Sequence, residues 1–216
     1  DTHSHSDIMA LAEPELLPKL MQGITTELLG QDGIGMAPMR QEMVGRWRQY
    51  MSGLSGDPPI PWDWTSLGDY AQRLTAAKTG PNMAMLAPQG NVRLVIMGMD
   101  NIPAGENQLK AMEAEVDTAM EEGAVGISIG MIYMPCIFTG RDEMVRMLRV
   151  CGQRGGFFVV HIRSGSDRVL ESIDEVVAMA REAEIPLHIS HFKAAGKRNW
   201  HKMGPALEAV DQAHRE

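Results

Sequence analysis

The chain has 216 residues, 44% of them hydrophobic and 22% charged, the balance of a globular protein with a sizeable core. A net charge of −8 argues against a nucleic-acid or anionic-membrane surface, because both reward clustered Lys and Arg. No apolar run approaches the roughly 18 residues that a membrane span needs. The two cysteines, Cys136 and Cys151, form neither a disulfide framework nor a CxxC pair, so reduced thiols in the cytoplasm are expected.

The chain opens on "DTHSHSD" (1–7), a histidine pair one residue apart flanked by aspartates. "EPELLPKLMQG" predicts a short helix, "ITTELLG" a strand and "SLGDYAQRLTAA" (66–77) a helix. Between the last two lies "SGDPPIPWDWTS", a Pro-rich, Trp-bearing loop that reads either as an active-site cover or as a connector with packed tryptophans. "NMAML" (82–86) and "VRLVIMG" (92–98) are short apolar runs bounded by Pro and Gly. Next comes a helical face of Leu109, Met112, Val116, Ala119 and Met120, ended by Gly123. "AVGISIG" is a buried strand, "RDEMVRMLRVCGQRGG" a helix and "FFVVHIR" a strand. A long helix on Val169, Ile173, Val176, Val177 and Ala180 precedes the strand "LHISH", and "GPALEAVDQAHRE" is a last helix. Strands alternating with helices of ten to eighteen residues build βαβ units and a parallel sheet, an α/β fold.

Side chains just past the carboxyl ends of parallel strands face the active site of such folds. His161 ends "FFVV", His191 ends "LHIS", and His3 and His5 fall at the end of a first strand whose body precedes residue 1. An i, i+2 pair on a strand points to one side, so both imidazoles can reach one ion. Asp32 follows "ITTELLGQ" at the end of the second strand. Four such histidines with a carboxylate suit Zn²⁺ held with a coordination position open for water. His188, three residues before His191, is read as a structural residue under a helix, and His201 and His214 as residues of the surface or behind the metal ligands. Lys193 and Arg163, each two residues past a strand-end histidine, are candidate holders of a substrate carboxylate. The hydroxyl of Tyr133 is placed to donate to a substrate oxygen.

"DTHSHSD", "GITTELLGQDGIGMAP", "EEGAVGISIGMIYMP", "VVHIRS" and "IPLHISHFKAAGKRNW" occur together in an order that resembles the N-acyl-D-amino-acid deacylases of the amidohydrolase superfamily. The resemblance covers nearly the whole chain. It implies a metal-binding (β/α)₈ barrel with a small β-sandwich, and hydrolysis of N-acyl-D-amino acids to a carboxylate and a free D-amino acid. By position, His3 and His5 resemble the metal pair of the first strand, and His161 and His191 the ligands of the fifth and sixth. Tyr133 and Lys193 match residues that bind the substrate or its α-carboxylate. Asp32 stands where many members have a metal-binding Cys, in a turn that reads Gly-Gln-Asp-Gly here. Cofactor and partner follow as one or two Zn²⁺ ions and a small-molecule N-acyl-D-amino acid, with no nucleic acid and no membrane.

The resemblance further implies that the chain is strands one to about six of a TIM-type barrel, with the flanking sandwich and last strands absent. The general-base aspartate is then expected beyond Glu216, and no turnover is expected of these residues alone. Exposed barrel edges would favour self-association. Two other readings remain open. One is an amidohydrolase of a cyclic amide or small dipeptide, like dihydroorotase or hydantoinase, against which "GISIGMIY" lacks the bridging lysine those commonly use. The other is a non-catalytic half-barrel that assembles with a partner.

Overall fold

The computed structural model describes all residues, 1–216. Its short helices α1 (Met9–Ala12) and α2 (Leu17–Leu20) lead into strand β1 (Thr26–Leu29). Helices α3 (Val44–Ser55) and α4 (Leu67–Ala77) precede β2 (Asn82–Pro88), and α5 (Gln89–Met97) and α6 (Glu106–Glu121) precede β3 (Gly126–Gly130). The chain then alternates strictly: α7 (Arg141–Gln153), β4 (Phe157–His161), α8 (Val169–Ala183), β5 (Leu187–Ile189) and α9 (Met203–Arg215).

The five strands lie in the order β1-β2-β3-β4-β5, all parallel. Strand β4 is fully buried from Phe158 to Val160, and helices on one side of the sheet bury the predicted faces: Met112, Val116 and Ala119 on α6, and Val169, Ile173, Val176 and Ala180 on α8. Residue 1 lies along the free edge of β1, where the Asp1 ammonium donates to the Thr26 carbonyl at 2.8 Å and the Leu28 N–H donates to the Asp1 carbonyl at 3.0 Å. The segment therefore occupies the place of a strand before β1, although residues 1–6 adopt no regular strand conformation.

The sheet curls. His3 sits beyond the β1 edge and His191 beyond β5, five strand spacings away, which in a flat sheet is about 24 Å at ~4.8 Å per spacing. Their ring centroids are 4.9 Å apart. The structure is accordingly a partial α/β barrel, and β5 leaves one edge without a further strand.

Three features depart from the sequence reading or resolve it. The apolar run "VRLVIMG" lies in helix α5, where every residue except Ile96 is buried, so the helix has no polar face to betray its period. Its polar side chains are paired instead: Asn91 bonds both the Gly35 N–H and the Gly35 carbonyl, and Arg93 grips the Glu143 carboxylate of α7 at 2.6 and 2.8 Å. Helix α3, which the sequence reading did not foresee, seats Trp47 in the core, its indole donating to the Gly35 carbonyl at 2.8 Å. The Trp-bearing loop is a packed connector: Trp62 and Trp64 stack with centroids 5.5 Å apart, and Trp64 donates to the Met36 carbonyl at 2.8 Å. No helix is long and apolar enough to cross a membrane.

Candidate metal centre

At the carboxyl ends of the strands the curl brings four imidazoles around one carboxylate. Asp32 Oδ2 lies 3.6 Å from His3 Nε2, 3.4 Å from His5 Nε2 and 3.6 Å from His161 Nδ1. Asp32 Oδ1 lies 3.9 Å from His191 Nε2. Ligand-type atoms of His3, Asp32 and His191 all fall within 4.8 Å of one another. The His161 and His191 rings meet edge to face with centroids 4.3 Å apart.

Asp32 is 4% exposed, and its Oδ1, like the Nδ1 atoms of His3 and His5, is buried without a hydrogen-bond partner. A buried carboxylate oxygen left unpaired is costly, and a cation among the imidazoles would satisfy Asp32 Oδ1. The donor set, imidazole nitrogens and a carboxylate, suits Zn²⁺ and other borderline divalent ions. Burial alone would push the Asp32 carboxyl up, but the surrounding His161, His3 and His5 imidazoles outweigh it and hold it well below the usual carboxylate range. Burial, His161 and the Lys193 ammonium together depress the His191 imidazole to about 4.

Each group arrives by a definite local device. Asp32 lies in the 30–33 turn with a left-handed backbone, φ 58°, between Gly30 and Gly33, which are also left-handed. A Cβ on Gly30 would stand 2.7 Å from the Leu86 carbonyl oxygen, so the first glycine of the turn is required by close approach as well. Asp7 Oδ1 accepts the Gly30 N–H at 2.9 Å, and the Gln31 amide donates to the Thr2 carbonyl at 2.9 Å, tying the turn to the histidine pair. Ser4, between the two histidines, points the other way and donates to the buried Glu27 at 3.0 Å. Glu27 is paired in turn with Lys19 at 2.8 Å.

Tyr133 follows β3, and its hydroxyl is 3.5 Å from His161 Nδ1; burial first, and the Asp32 charge next, push it up, so it remains a hydroxyl. Lys193 Nζ is 3.0 Å from His191 Nδ1. Arg163 does not join them. It lies past the end of β4, where strand alternation no longer sets direction, and pairs with Glu175 of α8 at 3.0 Å. His188 is exposed rather than covered by a helix, because β5 is the outermost strand; His201 and His214 are exposed at the surface. Cys136 is buried behind the turn against Gly33, and desolvation pushes its thiol up to about 12, so it offers no thiolate.

Burial also pushes the Asp7 carboxyl up to about 6, from an ordinary value near 4. Between those values the folded chain keeps a proton that the unfolded chain releases, so stability falls as pH rises from about 4 to about 6, by up to ~3 kcal/mol. Asp7→Asn keeps an acceptor for Gly30 and removes the titration. Urea midpoints of the metal-free chain should show wild type losing ground to the variant across that window; parallel pH curves would refute the assignment.

Sheet and site together define a partial parallel α/β barrel with a candidate metal centre at the carboxyl ends of its strands. No family model matches the chain. It is 33% identical over 213 residues to the N-acyl-D-glutamate deacylase of Alcaligenes xylosoxydans xylosoxydans, covering 99% of this chain and 42% of that protein. The crystal structure of the N-acyl-D-glutamate deacylase of Bordetella bronchiseptica, complexed with zinc and a phosphonate inhibitor, superposes with a TM-score of 0.90 at 30% identity. That match covers 100% of this chain and 44% of that one. A crystal structure of D-aminoacylase, described as defining a novel subset of amidohydrolases, superposes over the same shares with a TM-score of 0.86 at 28% identity. Over its whole length the chain is similar to one part of the N-acyl-D-amino-acid deacylases, and it spans less than half the length of the relatives it matches.

Proposed function

We propose that residues 1–216 carry the metal-binding part of an amidohydrolase barrel that cleaves the amide of N-acyl-D-amino acids. The observation that carries the proposal is the ring of His3, His5, His161 and His191 around the buried Asp32 carboxylate, whose Oδ1 has no hydrogen-bond partner. The names of the matched relatives support the substrate class, and the zinc in the Bordetella structure supports the metal.

His3, His5, Asp32, His161 and His191 would hold the ion. A zinc ion bound there supplies a Lewis acid for the amide carbonyl and a water that ionises near neutral pH. The remaining work falls to the chain's own groups. His191, accepting from Lys193 at Nδ1, carries its proton on Nε2, the nitrogen that faces Asp32. Ligation through Nε2 requires the proton on Nδ1, so Lys193 must give up that contact and becomes free for the α-carboxylate of the substrate. The Tyr133 hydroxyl beside His161 donates to a substrate oxygen.

Zinc titration of the chain tests the site, and binding of N-acetyl-D-glutamate, its L-enantiomer and a cyclic amide to the zinc-loaded chain tests the substrate class. Preference for the D-enantiomer supports the reading; preference for the cyclic amide would overturn it. Lys193→Ala should weaken that binding about tenfold or more, since a charge-assisted hydrogen bond is worth about 1.5–3 kcal/mol, while zinc affinity does not fall, because ligation by His191 releases the Lys193 contact in any case. Equal ligand affinity in the variant would remove Lys193 from the substrate site.

A further inference from the structure

The inner face of β3 is made of small residues, Gly126, Ser128 and Gly130, while Ile127 and Ile129 point the other way. The 30–33 turn lies against this face so closely that a Cβ on Gly130 would stand 2.1 Å from the Asp32 carbonyl oxygen. Within this contact one hydroxyl holds both ends of the turn. Ser128 Oγ donates to the Gly30 carbonyl and accepts the Gly33 N–H at 2.9 Å. Ser128 is completely buried, so no water replaces either bond.

We propose that Ser128 is a positioning residue that sets the Asp32 carboxylate among the four imidazoles, an inference that rests on reading that cluster as a metal centre. The backbone at Asp32 is left-handed, a conformation that a residue with a Cβ adopts at a cost against the right-handed form. Such a conformation persists only where its surroundings over-determine it. The Ser128 clamp fixes the two residues flanking Gln31 and Asp32, and with the clamp gone a buried carbonyl and a buried N–H lose their partner together. Asp7 and Gln31 still hold Gly30 and the Thr2 carbonyl, so the chain remains folded there while the Asp32 φ relaxes and swings the carboxylate off the ring.

The test compares zinc affinity, by competition with a chromophoric chelator, and the visible spectrum of the cobalt-loaded chain. Ser128→Ala is set beside Glu122→Gln, which weakens the far-off cap where Glu122 accepts from the Ser66 hydroxyl at 2.8 Å and the Gly68 N–H at 2.7 Å. Loss of a group that orients a ligand typically costs about 10–100-fold in metal affinity. Ser128→Ala should lose zinc affinity in that range and change the cobalt spectrum, while Ser128→Thr, which keeps the hydroxyl, recovers both and Glu122→Gln alters neither. Should Ser128→Ala not fold by circular dichroism, Ser128→Cys, with a thiol that bonds poorly, is read the same way. Wild-type affinity and spectrum in the Ala or Cys variant would overturn the proposal, as would an equal loss in Glu122→Gln. A wild-type chain that binds no zinc would instead remove the metal-centre reading, and this proposal with it.

Discussion

Asp32→Asn should abolish high-affinity zinc binding by the chain. The substitution keeps the shape of the turn and its left-handed residue, which Asn tolerates well, but removes the only carboxylate within reach of all four imidazoles. Because it takes away a ligand rather than a group that orients one, the loss should exceed the ~10–100-fold typical of orienting partners. Chelator competition measures it, with circular dichroism confirming the fold. Zinc binding as tight as wild type would show that the carboxylate does not ligate and would leave only the imidazoles to hold an ion.

The largest expected effect on stability lies away from the centre. Arg93 is wholly buried in α5 and grips the Glu143 carboxylate of α7, itself 5% exposed, while a second guanidinium nitrogen donates to the Ile102 carbonyl at 2.7 Å. Arg93→Leu strands a buried carboxylate without its countercharge. Breaking such a pair typically costs about 3–5 kcal/mol, whereas replacing both partners with apolar groups is often nearly neutral. Chemical denaturation should therefore show a loss of that size for Arg93→Leu, with most of it recovered in the double variant that also carries Glu143→Leu. A single variant as stable as wild type would mean that the pair is idle. Burial already pushes the Glu143 carboxyl up despite Arg93, so the loss should shrink as pH is lowered and the stranded acid takes a proton.

How much of this was legible in the sequence depended on whether a residue's role follows from its own strand or from a distant one. The alternation of helices and strands after residue 105 was readable because its helices carry one-sided apolar patterns and its strands are short apolar runs between them. That His161, His191 and Asp32 converge at one end of the sheet was readable because strand-end polar residues are few and each closes a clear apolar run. Helix α5 was not, since burial on every side erases the periodicity by which a helix is recognised. Arg163 misled because an i, i+2 spacing fixes direction only while the strand continues. Ser128, Asp7 and Gln31 gave no chemical signal at all. The Gly-Ser-Gly face of β3 takes its meaning from a turn almost a hundred residues earlier in the chain.

The curl of the sheet also bears on how the chain is held together. The ligand atoms of His3 and His191 come from opposite margins of the sheet and lie within reach of a single ion. An ion gripped by both would act as a cross-link that closes a loop of nearly the whole polypeptide, much as a disulfide between the two ends would. Unlike a disulfide, the ion would not persist in the unfolded chain, which has no preformed site, so its binding energy becomes folding energy. Metal binding would then add to the stability of the fold, with the open half-barrel behaving as a ring fastened by its own candidate metal centre.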